Sequence, residues 1–202
     1  MIHPIAIIAN GTEPTTSPER AALAACTGCV CCDRMPPEGA PALLQVVGDL
    51  DTLSRADLPA GFVTDLHADQ ETNDLTKAYR WLRAHHPAAP VAYFAVTGRR
   101  EDHTLANLAL IAETAERTTV YTASGRFDLF PAGEYVLAVT PDWPISFLSF
   151  TPQRLTARGV VWPVEGLWLD TLWRATLNRT AGAEVRFTCQ APLFLYQPWS
   201  SQ

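Results

Sequence analysis

Carboxylates and cations concentrate at a few points of this 202-residue chain, next to apolar runs or helical patterns. Gly48-Asp49-Leu50-Asp51 follows the apolar run Leu43–Val47, and Asp33 follows the run Cys29–Cys32. Asp69-Gln70-Glu71-Thr72-Asn73-Asp74 opens a helical pattern. Gly98-Arg99-Arg100-Glu101-Asp102-His103 stands between the run Val91–Val96 and another helical pattern. Carboxylates gathered at strand ends repel one another unless a cation joins them. Magnesium suits such a set, because it prefers carboxylate oxygen and keeps substrate phosphate in its shell. Arginine forks match phosphate oxygens, and a helix N-terminus favours anions. The chemistry to expect is therefore that of a magnesium-bound polyphosphate. Taken singly, each acid is ordinarily a turn former, a cap or a complement to a helix dipole. The grouping, rather than any one residue, carries the argument. Lys77 lies one turn beyond Asp74, where it can offset phosphate charge or simply face solvent. His103 can cap, donate to phosphate or pack.

The elements that must position these groups alternate through the first part of the chain. Strands are expected at Ile5–Ala9, Cys29–Cys32, Leu43–Val47 and Val91–Val96, with weaker ones at Phe62–Leu66 and Val120–Thr122. Helices are expected at 16–25, with Ser17 as N-cap before Pro18, at 72–85 and at 102–116. This alternation predicts an α/β fold: an N-terminal Rossmann-like, mostly parallel sheet with helices on both faces. Ligands of such sheets gather outside the carboxyl ends of the strands. Beyond Ser124-Gly125 helical periodicity fades. Short apolar runs recur between turn signals, at 134–139, 145–150, 155–162, 172–177, 184–189 and 193–196. They predict a small C-terminal all-β sandwich domain. The boundary falls near 123–133, giving an α/β domain over 1–128 and a β domain over 129–202. Five of the six tryptophans lie in the second part, where most serve the core and one or two can offer a stacking surface.

Composition sets outer bounds. The net charge of −6 argues against broad nucleic-acid binding. No apolar run reaches the length of a membrane span, and Ile5–Ala9 lacks a preceding basic region, so a cytoplasmic location is expected. Four of the five cysteines crowd into Cys26-x-x-Cys29-x-Cys31-Cys32. A zinc site would use such thiolates, but three of them fall in an expected buried strand, where alternate side chains point to opposite faces. Small apolar core residues are the favoured reading.

The order of these segments resembles the thiamine pyrophosphokinase family. Gln45-Val46-Val47-Gly48-Asp49-Leu50-Asp51 is similar to the family's Val-Gly-Asp-x-Asp-Ser, and Asp69–Ala78 to its Asp-Gln-x-x-Thr-Asp-x-x-Lys-Ala. Thr97–Asn107 resembles Gly-Gly-Arg-x-Asp-His-x-x-x-Asn. Gly159-Val160-Val161-Trp162-Pro163 is similar to Gly-x-x-Trp/Tyr-Pro, and Thr176-Leu177-Asn178 to a late Ser/Thr-x-Asn. The chain departs from the family at Asp33-Arg34-Met35, where small residues usually follow the Asp, at Arg99 in place of a second glycine, and at Leu177.

The resemblance implies transfer of a diphosphate from Mg-ATP to the hydroxyl of thiamine, in a homodimer whose active sites lie between subunits. It implies Asp49, Asp51 and Asp74 as magnesium ligands and catalytic residues, with Asp33 close by. Gln70, Lys77, Arg100, Asp102 and His103 would line the nucleotide and phosphate region. Trp162 and Asn178 would hold the vitamin. Asp51 or Asp74 would take the proton. The alternatives are a catalytically weak or inactive nucleotide- or thiamine-binding protein of the same fold, suggested by Arg34-Met35, and a cysteine-based zinc module.

Overall fold

The computed structural model describes residues 3–48, 53, 57–59 and 72–201. Asp49, Asp51, Gln70 and the expected strand Phe62–Leu66 lie outside the described residues. The chain divides into two compact units, residues 1–108 with 120–123 and residues 109–119 with 124–202.

In the first unit the elements run β1 (Ile5–Ile8), α1 (Ser17–Ala24), β2 (Gly28–Cys32), β3 (Leu43–Val47), α2 (Asp74–His85) and β4 (Val91–Phe94). Then comes α3 (Glu101–Glu113), whose last turns belong to the second unit, and β5 (Thr118–Thr122). Strands β4, β1, β2 and β3 lie side by side in that order, all parallel. Ile8 is paired with Cys31 on one side and Phe94 on the other. Strands β1, β2 and β4 are buried along their whole length, which is why they read as continuous apolar runs rather than alternating ones. Ala6, Ile8, Cys29, Cys31, Val46, Ala92 and Phe94 join Leu23 of α1 in one core cluster. Helix α2 packs on β1, β2 and β3. Its buried residues Leu75, Lys77, Ala78 and Leu82 form a stripe at helical spacing.

Helix α1 is capped one residue earlier than its sequence suggested. Thr16, not Ser17, is the N-cap, so Glu19 falls at the third helical position. The Glu19 carboxylate accepts from the Thr16 amide at 3.0 Å and the Thr16 hydroxyl accepts from the Glu19 amide at 3.4 Å, closing a capping box. With Ser17 as the cap, Arg20 would stand at that position and no box would form.

All five cysteines are free and buried. Cys26, Cys29 and Cys31 belong to the apolar cluster, and burial pushes the Cys26 thiol up to about 12. Among the described residues no group of three or more His, Cys, Asp or Glu is disposed to hold a metal. The cysteines act as small core residues.

The second unit contains β6 (Gly125–Phe130), β7 (Gly133–Ala138), β8 (Pro144–Leu148), β9 (Gln153–Arg158), β10 (Val164–Leu169), β11 (Asn178–Arg179), β12 (Glu184–Cys189) and β13 (Leu193–Pro198). Order β11-β8-β13-β6 makes one antiparallel array and order β10-β9-β12-β7 another. The two arrays share a core: Phe187 of β12 meets Phe130 of β6 at 4.9 Å and Phe147 of β8 at 5.6 Å. The strict in–out alternation of β9 and β12 is the signature of strands buried on one face.

Several expectations fail in this unit, and no strand was expected where β6 and the short β11 lie. The run 172–177 is not a strand; it is a turn in which Ala175 and Leu177 both adopt φ 58°. Strand β10, which sequence reading passed over, carries Gly166 at φ 60° inside a register shift between Val164 and Leu167. That bulge interrupts the period-two pattern by which a strand is recognised. No helix among the described residues is long and apolar enough to cross a membrane.

The exits of β1 and β4 are drawn together tightly. The amide of Gly11 donates to the Ala95 carbonyl at 2.6 Å and that of Thr12 to the Thr97 carbonyl at 2.9 Å. Gly98 closes this seam at φ 107°, where an added Cβ would stand 2.1 Å from the Thr12 hydroxyl oxygen. Gly98→Ala is therefore expected to lower unfolding free energy by about 2 kcal/mol or more in urea titration. Gly166→Ala has φ 60° but open space around its Cβ. It should cost only the left-handed penalty, about 1 kcal/mol. Equal effects of the two substitutions would remove the steric part of the argument.

Candidate active site

Because β4, β1 and β2 are parallel, their carboxyl ends open onto one edge of the sheet. A cavity of 440 Å³ lies there. Ala9, Asn10 and Gly11 after β1, Cys32 and Asp33 at the end of β2, and Val96 and Thr97 after β4 form its strand-end wall. The N-terminal ends of two helices complete it: Asn73, Asp74 and Leu75 at α2, and Arg99, Arg100, His103, Thr104, Ala106 and Asn107 around the start of α3.

Asp33 sits at the bend out of β2 with φ 45° and is 3% exposed. Its amide donates to the Val47 carbonyl at 2.8 Å, continuing the β2–β3 pairing by one residue. Gly48 follows at φ 148°, and a Cβ there would come within 3.0 Å of the Asp33 Cβ. Glycine thus lets the β3 exit pass close against Asp33. Asp74 opens α2 just after Asn73, whose side chain caps the helix by accepting from the Thr76 amide at 2.9 Å. Burial raises the Cys32 thiol first, and the Asp74 and Asp33 carboxylates raise it further, against the guanidinium of Arg34, which lowers it.

Lys77 stands behind Asp74 rather than in the cavity wall. It is 7% exposed, and its ammonium donates to Asp74 Oδ1 at 3.2 Å. A buried lysine on one oxygen fixes the carboxylate and reduces its negative charge, while the carboxylate remains one-third exposed towards the site.

Two arginines and a histidine stand around the start of α3. Arg99, Arg100 and His103 all line the cavity. Arg99 donates to Asn10 Oδ1 at 3.3 Å, across from the β1 exit. Arg100 and Asp102 form a two-pronged pair at 3.0 and 2.5 Å, with both side chains about two-thirds exposed. The guanidinium of Arg100 holds the Asp102 carboxyl at about 2, well below the usual carboxylate range. Asp102 itself is outside the cavity wall, so its role here is to orient Arg100. Asn107 reaches back from α3 and donates to the Val96 carbonyl at 2.8 Å, tying the helix to the β4 exit.

In the second unit Trp162 and Asn178 are neighbours. Asn178 is buried, accepts from the Trp162 amide at 3.2 Å and donates to the Trp162 carbonyl at 2.7 Å. This two-way clamp fixes the backbone of Trp162, whose side chain is 58% exposed. An exposed indole on a fixed backbone is a stacking surface for a flat ring.

Of the residues expected from sequence, then, Asp33, Asp74, Arg100 and His103 share one cavity, Lys77 and Asp102 act on its walls, and Trp162 and Asn178 form a separate pair. Asn10, Asn73 and Thr104 also line the cavity without having been singled out. Their signal was faint: a polar residue just after an apolar strand or within the first turn of a helix.

Residues 40–122 match the family model described as thiamin pyrophosphokinase, catalytic domain. Among curated proteins none matches significantly in sequence. Solved structures match over nearly the whole chain. A thiamine pyrophosphokinase from Bacillus subtilis is 21% identical with a TM-score of 0.73, covering 96% of this chain and 98% of that one. Yeast thiamin pyrophosphokinase is 13% identical with a TM-score of 0.78, covering 98% and 86%. The enzyme from Candida albicans is 14% identical at a TM-score of 0.78, covering 98% and 89%. The likeness shows a mixed α/β fold with a large, mostly parallel sheet and a second, antiparallel sheet.

The Arg100–Asp102 pair can be tested directly. NMR titration of wild type should find the Asp102 carboxyl at about 2, and Arg100→Gln should move it upward. Because the folded value is depressed, the pair's contribution is present at neutral pH and is lost as pH falls towards that value. An unchanged Asp102 titration in Arg100→Gln would show that the pair does not form in solution. Residues 40–122 thus match the thiamin pyrophosphokinase catalytic-domain model, and the fold of nearly the whole chain is similar to that of solved thiamine pyrophosphokinases.

Proposed function

We propose that this protein is a thiamine pyrophosphokinase, transferring the diphosphate of Mg-ATP to the primary hydroxyl of thiamine to give thiamine diphosphate and AMP. The observation that supports this most is the cavity at the strand ends, where two carboxylates share a wall with Arg99, Arg100 and two helix N-termini. Such a site binds an anion and a divalent cation together, and neither alone would satisfy it. In this reading the α/β domain, residues 1–128 with helices on both faces of its sheet, holds the nucleotide. The β-sandwich domain, residues 129–202, holds the vitamin.

The donor chemistry fits magnesium. Asp33 and Asp74 offer hard carboxylate oxygens, and Asp49 and Asp51 follow Gly48 in the chain. Asp49, Asp51 and Asp74 would hold the ion, with Asp33 close by; when bound, it would neutralise phosphate charge and favour attack at phosphorus. The chain's own groups position the reactants. Arg100, oriented by Asp102, and His103 approach the phosphates from α3; Lys77 acts through Asp74, and Gln70 would join the nucleotide and phosphate lining by its place in the sequence motif. The thiamine hydroxyl oxygen bonds to the β-phosphorus. The bond from that phosphorus to the α–β bridging oxygen breaks, and AMP leaves with that oxygen. The hydroxyl proton passes to Asp51 or Asp74. Most of the acceleration comes from alignment and charge compensation. Trp162 would stack on the aminopyrimidine, with Asn178 holding its backbone. Two copies would form a homodimer in which one copy's β domain serves the other's nucleotide site. The protein would act in the cytoplasm, apart from nucleic acid and membrane.

The test is thiamine-dependent release of AMP from Mg-ATP by purified protein. Wild type should release AMP, whereas Asp49→Asn and Asp74→Asn should each slow it by about a hundredfold or more while remaining folded by circular dichroism. No AMP from folded wild type would leave a nucleotide- or thiamine-binding protein as the reading. Equal rates in wild type and Asp49→Asn would overturn its assignment as a metal ligand.

A further inference from the structure

A second cavity, of 420 Å³, adjoins the first and shares Asn10, Asp33 and Arg99 with it. Three arginines line the pair: Arg100 the first, Arg34 the second and Arg99 both. Two of the three are neutralised within the protein. Asp102 holds both prongs of Arg100. Arg34, with its side chain only 11% exposed, pairs with Glu13 and donates to the Met35 carbonyl at 3.1 Å. Arg99 differs. It is exposed, and among the described residues it pairs with no carboxylate. Its Nη1 donates to Asn10 Oδ1, a neutral acceptor, at 3.3 Å. A guanidinium stays charged at any physiological pH, so this one faces the cavities as a permanent cation.

The backbone around Arg99 is fixed. Gly98 takes the left-handed turn at φ 107°, and Arg99 itself does not have a positive φ, so position 99 carries a side chain without strain. The Thr104 hydroxyl accepts from the Gly98 amide at 3.3 Å and donates to the Arg100 carbonyl at 3.1 Å. That staple closes on both sides of Arg99. A long side chain therefore reaches the junction of the two cavities from a fixed pivot, with Asn10 drawing it towards the β1 exit.

The cavities differ in what they can take. The first has apolar wall positions at Leu75, Val96 and Ala106 beside its polar ones. Polar and charged groups, Glu13, Arg34 and Glu38 among them, make up most of the second. A nucleotide seated in the first thus sends its charged end, not its base, towards the second. The terminal phosphate, like a phosphate monoester, carries close to two negative charges, more than an inner phosphate does. The cation without a carboxylate stands where that phosphate arrives.

Resting on the proposed kinase reading, we propose that Arg99 is a specificity-determining, phosphate-binding residue: it takes the terminal phosphate of the nucleoside triphosphate at the junction of the two cavities, and so selects triphosphate over diphosphate. Where the family pattern has a second glycine, this chain adds a ligand contact.

Isothermal titration in the presence of magnesium compares a non-hydrolysable ATP analogue, ADP and AMP in wild type, Arg99→Gly and Arg99→Gln. Both substitutions should weaken the ATP analogue by about tenfold, the loss of one charge-assisted contact, and ADP and AMP by less than about twofold. Equal losses for the ATP analogue and ADP in folded variants, no loss for either, or full affinity in Arg99→Gln would overturn the assignment. In the AMP-release assay the KM for ATP should rise in both variants while that for thiamine stays unchanged; a change confined to thiamine would reject the role. No AMP from wild type that binds the ATP analogue would reject the kinase reading alone, and the binding losses would still decide Arg99. Folded wild type that binds no nucleotide would reject both.

Discussion

Four strands running in the same direction must end on the same edge, and every polar group of the first unit's site is placed by that constraint. The chain leaves β1, β2 and β4 along one side of the sheet, and α2 and α3 begin over the same side. Backbone amides at the starts of those helices cannot all find partners within the helix. A concave edge rich in free donors and partial positive charge results before any side chain is chosen. The sequence then adds acids and arginines to it. A site with one sign of charge would be self-repelling; the mixture here is stable because Lys77 pairs with Asp74 and Asp102 pairs with Arg100.

The supporting structure keeps this edge narrow. The β1 and β4 exits remain hydrogen-bonded beyond the ends of their strands, which requires a residue without a Cβ at Gly98. Gly48 likewise lets the β3 exit pass against Asp33. Asn107 pins α3 to Val96 from below. Behind the edge, strands buried on both faces supply the rigidity, with Cys26, Cys29 and Cys31 filling space among larger apolar groups. The crowding of these cysteines in the sequence reflects a buried strand and the helix end before it, not a ligand set.

Much of this was legible in the residues themselves. Continuous apolar runs ending in Gly or Asp marked β1 to β4, and the acids and arginines at those ends marked the cavity. What escaped was governed by tertiary geometry. Thr16 displaced Ser17 as cap because only it puts Glu19 in reach. Strand β10 hid behind the bulge at Gly166, and 172–177 imitated a strand while folding as a turn with two left-handed residues. Lys77 could by its place in the helix either offset phosphate charge or face solvent; it is buried and pairs with Asp74. Arg99 looked like a lost glycine, yet it lines both cavities. Asp49, Asp51 and Gln70 lie outside the described residues, so their part in the site rests on their chemistry and order in the chain.

The central claim is that the strand-end cavity of the first unit holds a metal-bound polyphosphate. Isothermal titration with a non-hydrolysable ATP analogue, with and without magnesium, tests it most directly in wild type and Arg100→Gln. The account predicts binding that requires magnesium and that weakens by about tenfold in Arg100→Gln, the loss of one charge-assisted hydrogen-bonding group. Binding that is indifferent to magnesium and unchanged in Arg100→Gln, or no binding to folded wild type, would contradict it.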